Sequence, residues 1–195
     1  IDGEGKKIAS DIRDIRKNNI FPSGEGLAPS LFVRNCIYGN TLVLHTCVVK
    51  EALPLPEGFN HDHWFILWAA YRGKLAFAER PLVHYRIHGD NFSTPFRSVS
   101  VRQEYLNQRI TPLALRCHCR NRFAQGTDIA QQIAQVTDWV NCRQRWLEQG
   151  GLSNLVSYGR KSGMQRKIFC FEVALRLTPL SMHKHLFASL RKLLK

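Results

Sequence analysis

The chain has 195 residues, with 28 Lys+Arg against 15 Asp+Glu, a net charge of +13 and an apolar fraction of 44%. That length fits one medium domain or a domain with an appendage, and the apolar share excludes a mostly disordered chain. The longest unbroken apolar run, residues 64–71, falls far short of the ~20 residues that a membrane-crossing helix needs, so the sequence excludes a helical span.

The opening Ile1-Asp2-Gly3-Glu4-Gly5-Lys6 is polar and carries no initiator Met. It is not a signal peptide and reads as a point partway along a longer chain. Residues 1–30 read as loop, with Gly3, Gly5, Pro22, Gly24, Gly26 and Pro29 as breakers and a short helical turn over residues 8–15. Residues 31–49 are rich in β-formers (Val33, Ile37, Thr41, Val43, Val48, Val49) and are interrupted at Gly39-Asn40. They predict strand material with a sharp turn or close backbone approach at the glycine. Pro54-Leu55-Pro56-Glu57-Gly58 is a rigid connector. Residues 63–71 predict a helix, with Asp62 as N-cap and Gly73 as its stop. Residues 74–78 and 82–87 predict two short strands split by Pro81, and Gly89-Asp90-Asn91 predicts a turn.

From about Val99 the pattern turns helical. Leu106, Ile110, Leu113, Ile129, Ile133, Val136 and Val140 recur at helical spacing, and Gly126 and Gly150-Gly151 punctuate them. Three further short helices follow from Leu152, the last opening at Thr178-Pro179. That last one is a basic amphipathic helix, with Leu180, Leu186, Phe187, Leu190, Leu193 and Leu194 set among Lys184, Arg191, Lys192 and Lys195.

The charge is lopsided. Residues 1–97 hold 12 Lys+Arg against 10 Asp+Glu, and residues 98–195 hold 16 against 5. A basic half points to an acidic partner or to a solvated face that keeps the chain dispersed. Residues 151–195 hold nine Lys+Arg against Glu172 alone, which favours docking on an anionic membrane surface. Six Cys show no disulfide-framework spacing. Cys117-His118-Cys119 invites a zinc reading, but no second Cys/His pair stands at a usual spacing, and a buried helix face is the simpler account.

Two clusters can do chemistry: His61-Asp62-His63-Trp64, and Tyr85-Arg86-Ile87-His88-Gly89-Asp90-Asn91. A carboxylate at a helix start is commonly only a cap, but beside an acceptor hydroxyl it can serve as a general base. An imidazole after a strand is commonly structural, but it is also the commonest nitrogen ligand for a divalent cation.

Five segments in order carry a resemblance. They are Asn35-Cys36-Ile37-Tyr38-Gly39-Asn40-Thr41, Ala52-Leu53-Pro54-Leu55-Pro56, His61-Asp62-His63-Trp64, Gly73-Lys74, and the run from Pro81 to Asn91. Together they resemble the second half of a family 2 glycosyltransferase, of the bacterial rhamnosyltransferase-like branch used in surface polysaccharide assembly. The resemblance implies an α/β fold: an incomplete GT-A-type sheet with helices over residues 1–97, the acceptor-side part. An all-α basic extension would follow over residues 98–195. It makes Asp62 the catalytic base and His88 a ligand of a divalent metal, Mg or Mn. Gly39 and Thr41 would lie beside donor and acceptor, Trp64 would line the acceptor site next to His61, and Arg86 would neutralise a diphosphate. Asn40 and His63 depart from the family's usual Cys and Trp.

The partners so implied are a nucleotide-sugar donor and a saccharide or lipid-linked acceptor, at the inner face of the plasma membrane. The acceptor hydroxyl would attack the anomeric carbon with inversion. The nucleotide-binding half and its Asp-x-Asp metal motif are expected before Ile1, since Asp2-Gly3-Glu4 resembles the segment that follows that motif. The chain by itself is therefore expected to be inactive. Two rival readings are a metal-dependent HD-type phosphohydrolase using His61-Asp62 as a dyad, and a non-enzymatic basic nucleic-acid-binding module. Against the latter, there is no zinc-finger spacing and no helix with basic residues interleaved for base reading, and Arg116, Arg120, Arg143 and Arg145 can serve to solvate helices. No nucleic-acid partner is expected.

Overall fold

The computed structural model describes residues 1–15, 20–88, 99–163 and 165–193. The chain forms two compact units. One holds Ile1–Leu55 with Asn60–Arg97, and the other holds Pro56–Phe59 with Ser98–Leu194. The turn expected at Gly89-Asp90-Asn91 lies outside the described residues.

The first unit is built on helices α1 (Ile12–Ile15), α2 (Ala28–Val33), α3 (Thr46–Ala52) and α4 (His61–Arg72). Both α2 and α3 pack against α4. The buried positions of α4 (His63, Trp64, Ile66, Leu67, Trp68 and Ala70) recur every three to four residues, the spacing that puts them on one broad face. They meet Leu31 and Phe32 of α2 and Ala52 of α3, all at or near zero exposure. Removing a Leu-sized side chain from water in this way contributes about 1.5–3 kcal/mol apiece. Gly73 stops α4 as the sequence predicts, its N–H bonding the Ala69 carbonyl at 3.0 Å.

The α/β expectation is overturned. Among the described residues there is no strand, and every regular element is helical. An isolated antiparallel bridge joins Gly24 and Leu75, with bonds of 2.8 and 2.9 Å. Of the β-formers of residues 31–49, Val33 ends α2, Thr41 closes a 3₁₀ turn over Gly39–Thr41, Val48 and Val49 lie in α3, and Ile37 and Val43 lie in the links between them. Val48 and Val49 are helical because α3 gains a packing surface on α4, and tertiary burial outweighs their modest β preference. Residues 82–87 meet one strand-like partner only: Ile1 donates its backbone nitrogen to the Tyr85 carbonyl and accepts from the Ile87 N–H, both at 2.9 Å. One pairing without a continuing ladder makes no sheet.

The second unit is helical throughout its described residues. Its elements are α5 (Arg102–Tyr105), α6 (Thr111–Cys117), α7 (Asp128–Gln149), α8 (Leu152–Lys161), α9 (Arg166–Leu177) and α10 (Leu180–Leu193). A π-turn over Leu106–Ile110 joins α5 to α6, and Thr111 bonds the Leu106 carbonyl five residues back. Pro112 follows immediately; it has no N–H to give an i−4 carbonyl, so the wider register relieves the misfit. Thr127 caps α7 by accepting from the Ala130 N–H at 3.2 Å.

The core of this unit is polar at its centre. Glu172 of α9 is wholly buried and ion-paired with Arg143 of α7. Its two carboxylate oxygens also accept from the hydroxyls of Tyr105 (α5) and Tyr158 (α8), each at 2.7 Å. The Arg143 guanidinium lies 4.4 Å from the Trp139 ring centroid. Four helices therefore meet on one carboxylate. Arg143 does not solvate a helix face: it is an internal counter-ion.

Candidate functional site

The sequence His61-Asp62-His63-Trp64 forms the first turn of α4, and its four side chains divide between outside and inside. His61 is exposed and Asp62 is half-buried, while His63 and Trp64 are buried. The N-cap is Asn60, so Asp62 lies within the helix and is not its cap. There its Oδ1 accepts the His63 N–H at 2.7 Å, and a carboxylate in the first turn is favoured by the helix dipole.

The two buried residues fix that turn. His63 Nε2 carries the proton and donates to the Leu31 carbonyl of α2, since a carbonyl can only accept. Trp64 Nε1 donates to the Ala52 carbonyl at the end of α3, at 2.7 Å. Both acceptors belong to the last turns of short helices, where carbonyls lack an intrahelical partner. The start of α4 is thus pinned to the ends of α2 and α3. With no exposed surface, Trp64 offers no ring face to an acceptor; its indole packs on Trp68 at 5.6 Å.

Gly39 lies against Asp62. A Cβ placed on Gly39 would sit 3.1 Å from Asp62 Cβ and 3.6 Å from Oδ2. The glycine-bearing 3₁₀ turn is held by Thr41, whose N–H and hydroxyl both donate to the Tyr38 carbonyl at 2.9 and 2.8 Å. Thr41 is exposed and works here as a turn-maker. Among the described residues Asp62 Oδ2 takes no hydrogen bond, which leaves one lobe of the carboxylate for a ligand.

Arg86 and His88 lie on another loop. The Arg86 guanidinium donates to the Gly3 carbonyl at 2.6 Å and to the Asp2 carbonyl at 3.3 Å, and a Cβ on Gly3 would lie 3.9 Å from His88 Cβ. Asp2 closes that loop by accepting the Glu4 and Lys6 N–H groups. The rings of Tyr38 and Tyr85 meet at 4.9 Å and join this loop to the Gly39 turn. Gly39 and Asp62 therefore stand together, as do Arg86 and His88, with one aromatic pair between the two groups.

The described residues do not build a divalent-metal site: no three His, Cys, Asp or Glu side chains among them group closely enough to hold one. In the second unit, Cys117 and Cys119 direct their thiols to the Leu113 and Arg116 carbonyls. Burial pushes both thiols up, Cys119 to about 12. Sequence reasoning missed the anchoring roles of His63 and Trp64, although their position on the buried stripe of α4 signals it. It also missed the Arg143–Glu172 centre, whose signal is one acid inside the apolar run of residues 168–175.

The chain matches no protein-family model, no curated protein and no solved structure. Among its described residues no helix is long and apolar enough to cross a membrane.

Proposed function

We propose that residues 1–97 form the acceptor-side part of an inverting glycosyltransferase, with Asp62 as the base. The observation that carries this reading is the half-buried Asp62 carboxylate, pinned at the start of α4 with one oxygen lobe uncommitted and the bare backbone of Gly39 beside it. Sugar transfer needs a proton removed from the acceptor hydroxyl as it attacks the anomeric carbon. A carboxylate within hydrogen-bond reach supplies that step. Gly39, having no side chain, lets its backbone lie close against the carboxylate. His61, exposed one residue earlier, is in position to contact the acceptor, and Arg86 supplies positive charge on the Tyr85 side of the site.

The donor is a nucleotide-sugar and the acceptor a saccharide or lipid-linked saccharide of bacterial surface polysaccharide. The place of action is the cytoplasmic face of the plasma membrane. In this reading the nucleotide-sugar and any divalent metal would be held together with a donor-binding half. The test is complementation. Nucleotide release with sugar transfer is expected when the chain is joined to a donor-binding half, and none from the chain by itself. Transfer at a normal rate by the 195 residues unaided would overturn the division of labour proposed here.

A further inference from the structure

Residues 151–195 are strongly basic in sequence. Nine Lys+Arg stand there against one acid, Glu172, and that acid is sealed in the ion pair with Arg143. The same stretch leaves large apolar side chains in water: Leu152 is 81% exposed, Leu177 69% and Leu180 68%. The fold gathers these leucines. The Arg176 guanidinium donates to the Gln149 carbonyl at 3.3 Å and lies 2.9 Å from where a Cβ on Gly150 would be. The end of α9 thereby returns to the loop that starts α8. Leu177 follows Arg176, Leu152 opens α8 and Leu180 opens α10, so all three stand at one end of the α8–α9 hairpin. Exposed side chains one turn further along continue the pattern. Val156 and then Arg160 extend the Leu152 stripe along α8, and Lys184 stands one turn after Leu180 on α10.

We infer that this end of the second unit docks on an anionic lipid bilayer, with the leucines entering the acyl boundary and Lys184 and Arg160 meeting headgroups. Charge and apolarity together select this occupant. A second copy of the chain would oppose like charges. A nucleic acid would satisfy the cations and leave the leucines in water. A bilayer offers hydrocarbon directly beneath anions. The inference rests on the reading that brings the chain to a membrane and stands apart from the Asp62 chemistry.

Flotation of the whole chain with vesicles tests it, using phosphatidylcholine alone and phosphatidylcholine mixed with phosphatidylglycerol. Expected is binding to the mixed vesicles, weakened by high salt, and little to the neutral ones. Lys184→Gln lowers partitioning about fivefold, and Leu177→Asp or Leu180→Asp about tenfold, with an unchanged helical circular dichroism spectrum. Equal binding to both vesicles, or anionic binding that ignores the leucine substitutions, overturns the inference. So does a wild-type dimer in light scattering that Leu177→Asp disperses, or a duplex DNA that outcompetes vesicles. Asp62→Asn leaves flotation unchanged, and in the chain joined to a donor-binding half the leucine variants leave transfer to a water-soluble acceptor unchanged, so the two readings fail separately.

Discussion

Glu172→Gln is the substitution from which the second unit has most to lose. The carboxylate is wholly buried and holds the Arg143 guanidinium together with two tyrosine hydroxyls. Burial works against the charge of Arg143, and the carboxylate overcomes it, holding the guanidinium above its ordinary value. An amide at position 172 keeps the shape and one acceptor oxygen but leaves a buried cation without a counter-ion. Breaking a buried pair from one side costs about 3–5 kcal/mol. That is a large share of the ~5–15 kcal/mol by which domains are stable.

The pair itself contributes less than that figure, because desolvating both ions offsets most of their attraction. Arg143→Met combined with Glu172→Gln therefore loses less than Glu172→Gln does by itself, although Arg143 has been removed as well. Urea unfolding followed by circular dichroism, run as a double-mutant cycle, reads both quantities. A cost below about 1 kcal/mol for Glu172→Gln, or simple additivity of the two changes, would refute the placement of this pair at the centre of the fold.

Other outcomes follow from the same structure. Burial and then the Glu172 charge push the Tyr105 and Tyr158 hydroxyls well above their ordinary value. The folded state thus holds protons that the unfolded state releases, so stability is fully present below pH ~10 and falls as pH rises beyond it; tyrosinate absorbance and ellipticity are expected to change together there. Trp64→Phe removes the buried hydrogen bond to the Ala52 carbonyl and costs about 1–3 kcal/mol by chemical denaturation, with no effect on acceptor affinity beyond that from unfolding. Gly39→Ala needs the Asp62 side chain to yield by a few tenths of an ångström, so transfer falls while the unfolding midpoint stays near wild type. In a thiol-labelling assay on the folded chain, exposed Cys47 and Cys170 react and buried Cys36, Cys117, Cys119 and Cys142 are protected until the protein unfolds.

What the sequence revealed and what it concealed divide along the range of the forces involved. The span of α4, its glycine stop and the three helices after Leu152 were legible because apolar periodicity and local breakers determine them. The strands expected over residues 31–49, 74–78 and 82–87 were not there to be found. A strand is decided by a partner that one segment does not contain, and Val48 and Val49 found theirs in the flank of a helix. Asp62 looked like a cap because capping residues and first-turn acids share a chemistry; one position separates them, and Asn60 holds the cap. The proximity of Gly39 to Asp62 has no local signal beyond the glycine itself. Arg143 and Glu172 are 29 residues apart on different helices, so only packing reveals that they neutralise each other.

The Asp62 side chain carries the proposed chemistry, and the transfer rate of Asp62→Asn in the chain joined to a donor-binding half measures it most directly. Asparagine keeps the size and can still accept the His63 N–H, so the fold and acceptor binding are expected to stay within a few-fold of wild type. The rate is expected to fall by about 10²–10⁴. A variant that folds, binds acceptor and transfers sugar at the wild-type rate would contradict the assignment of the base.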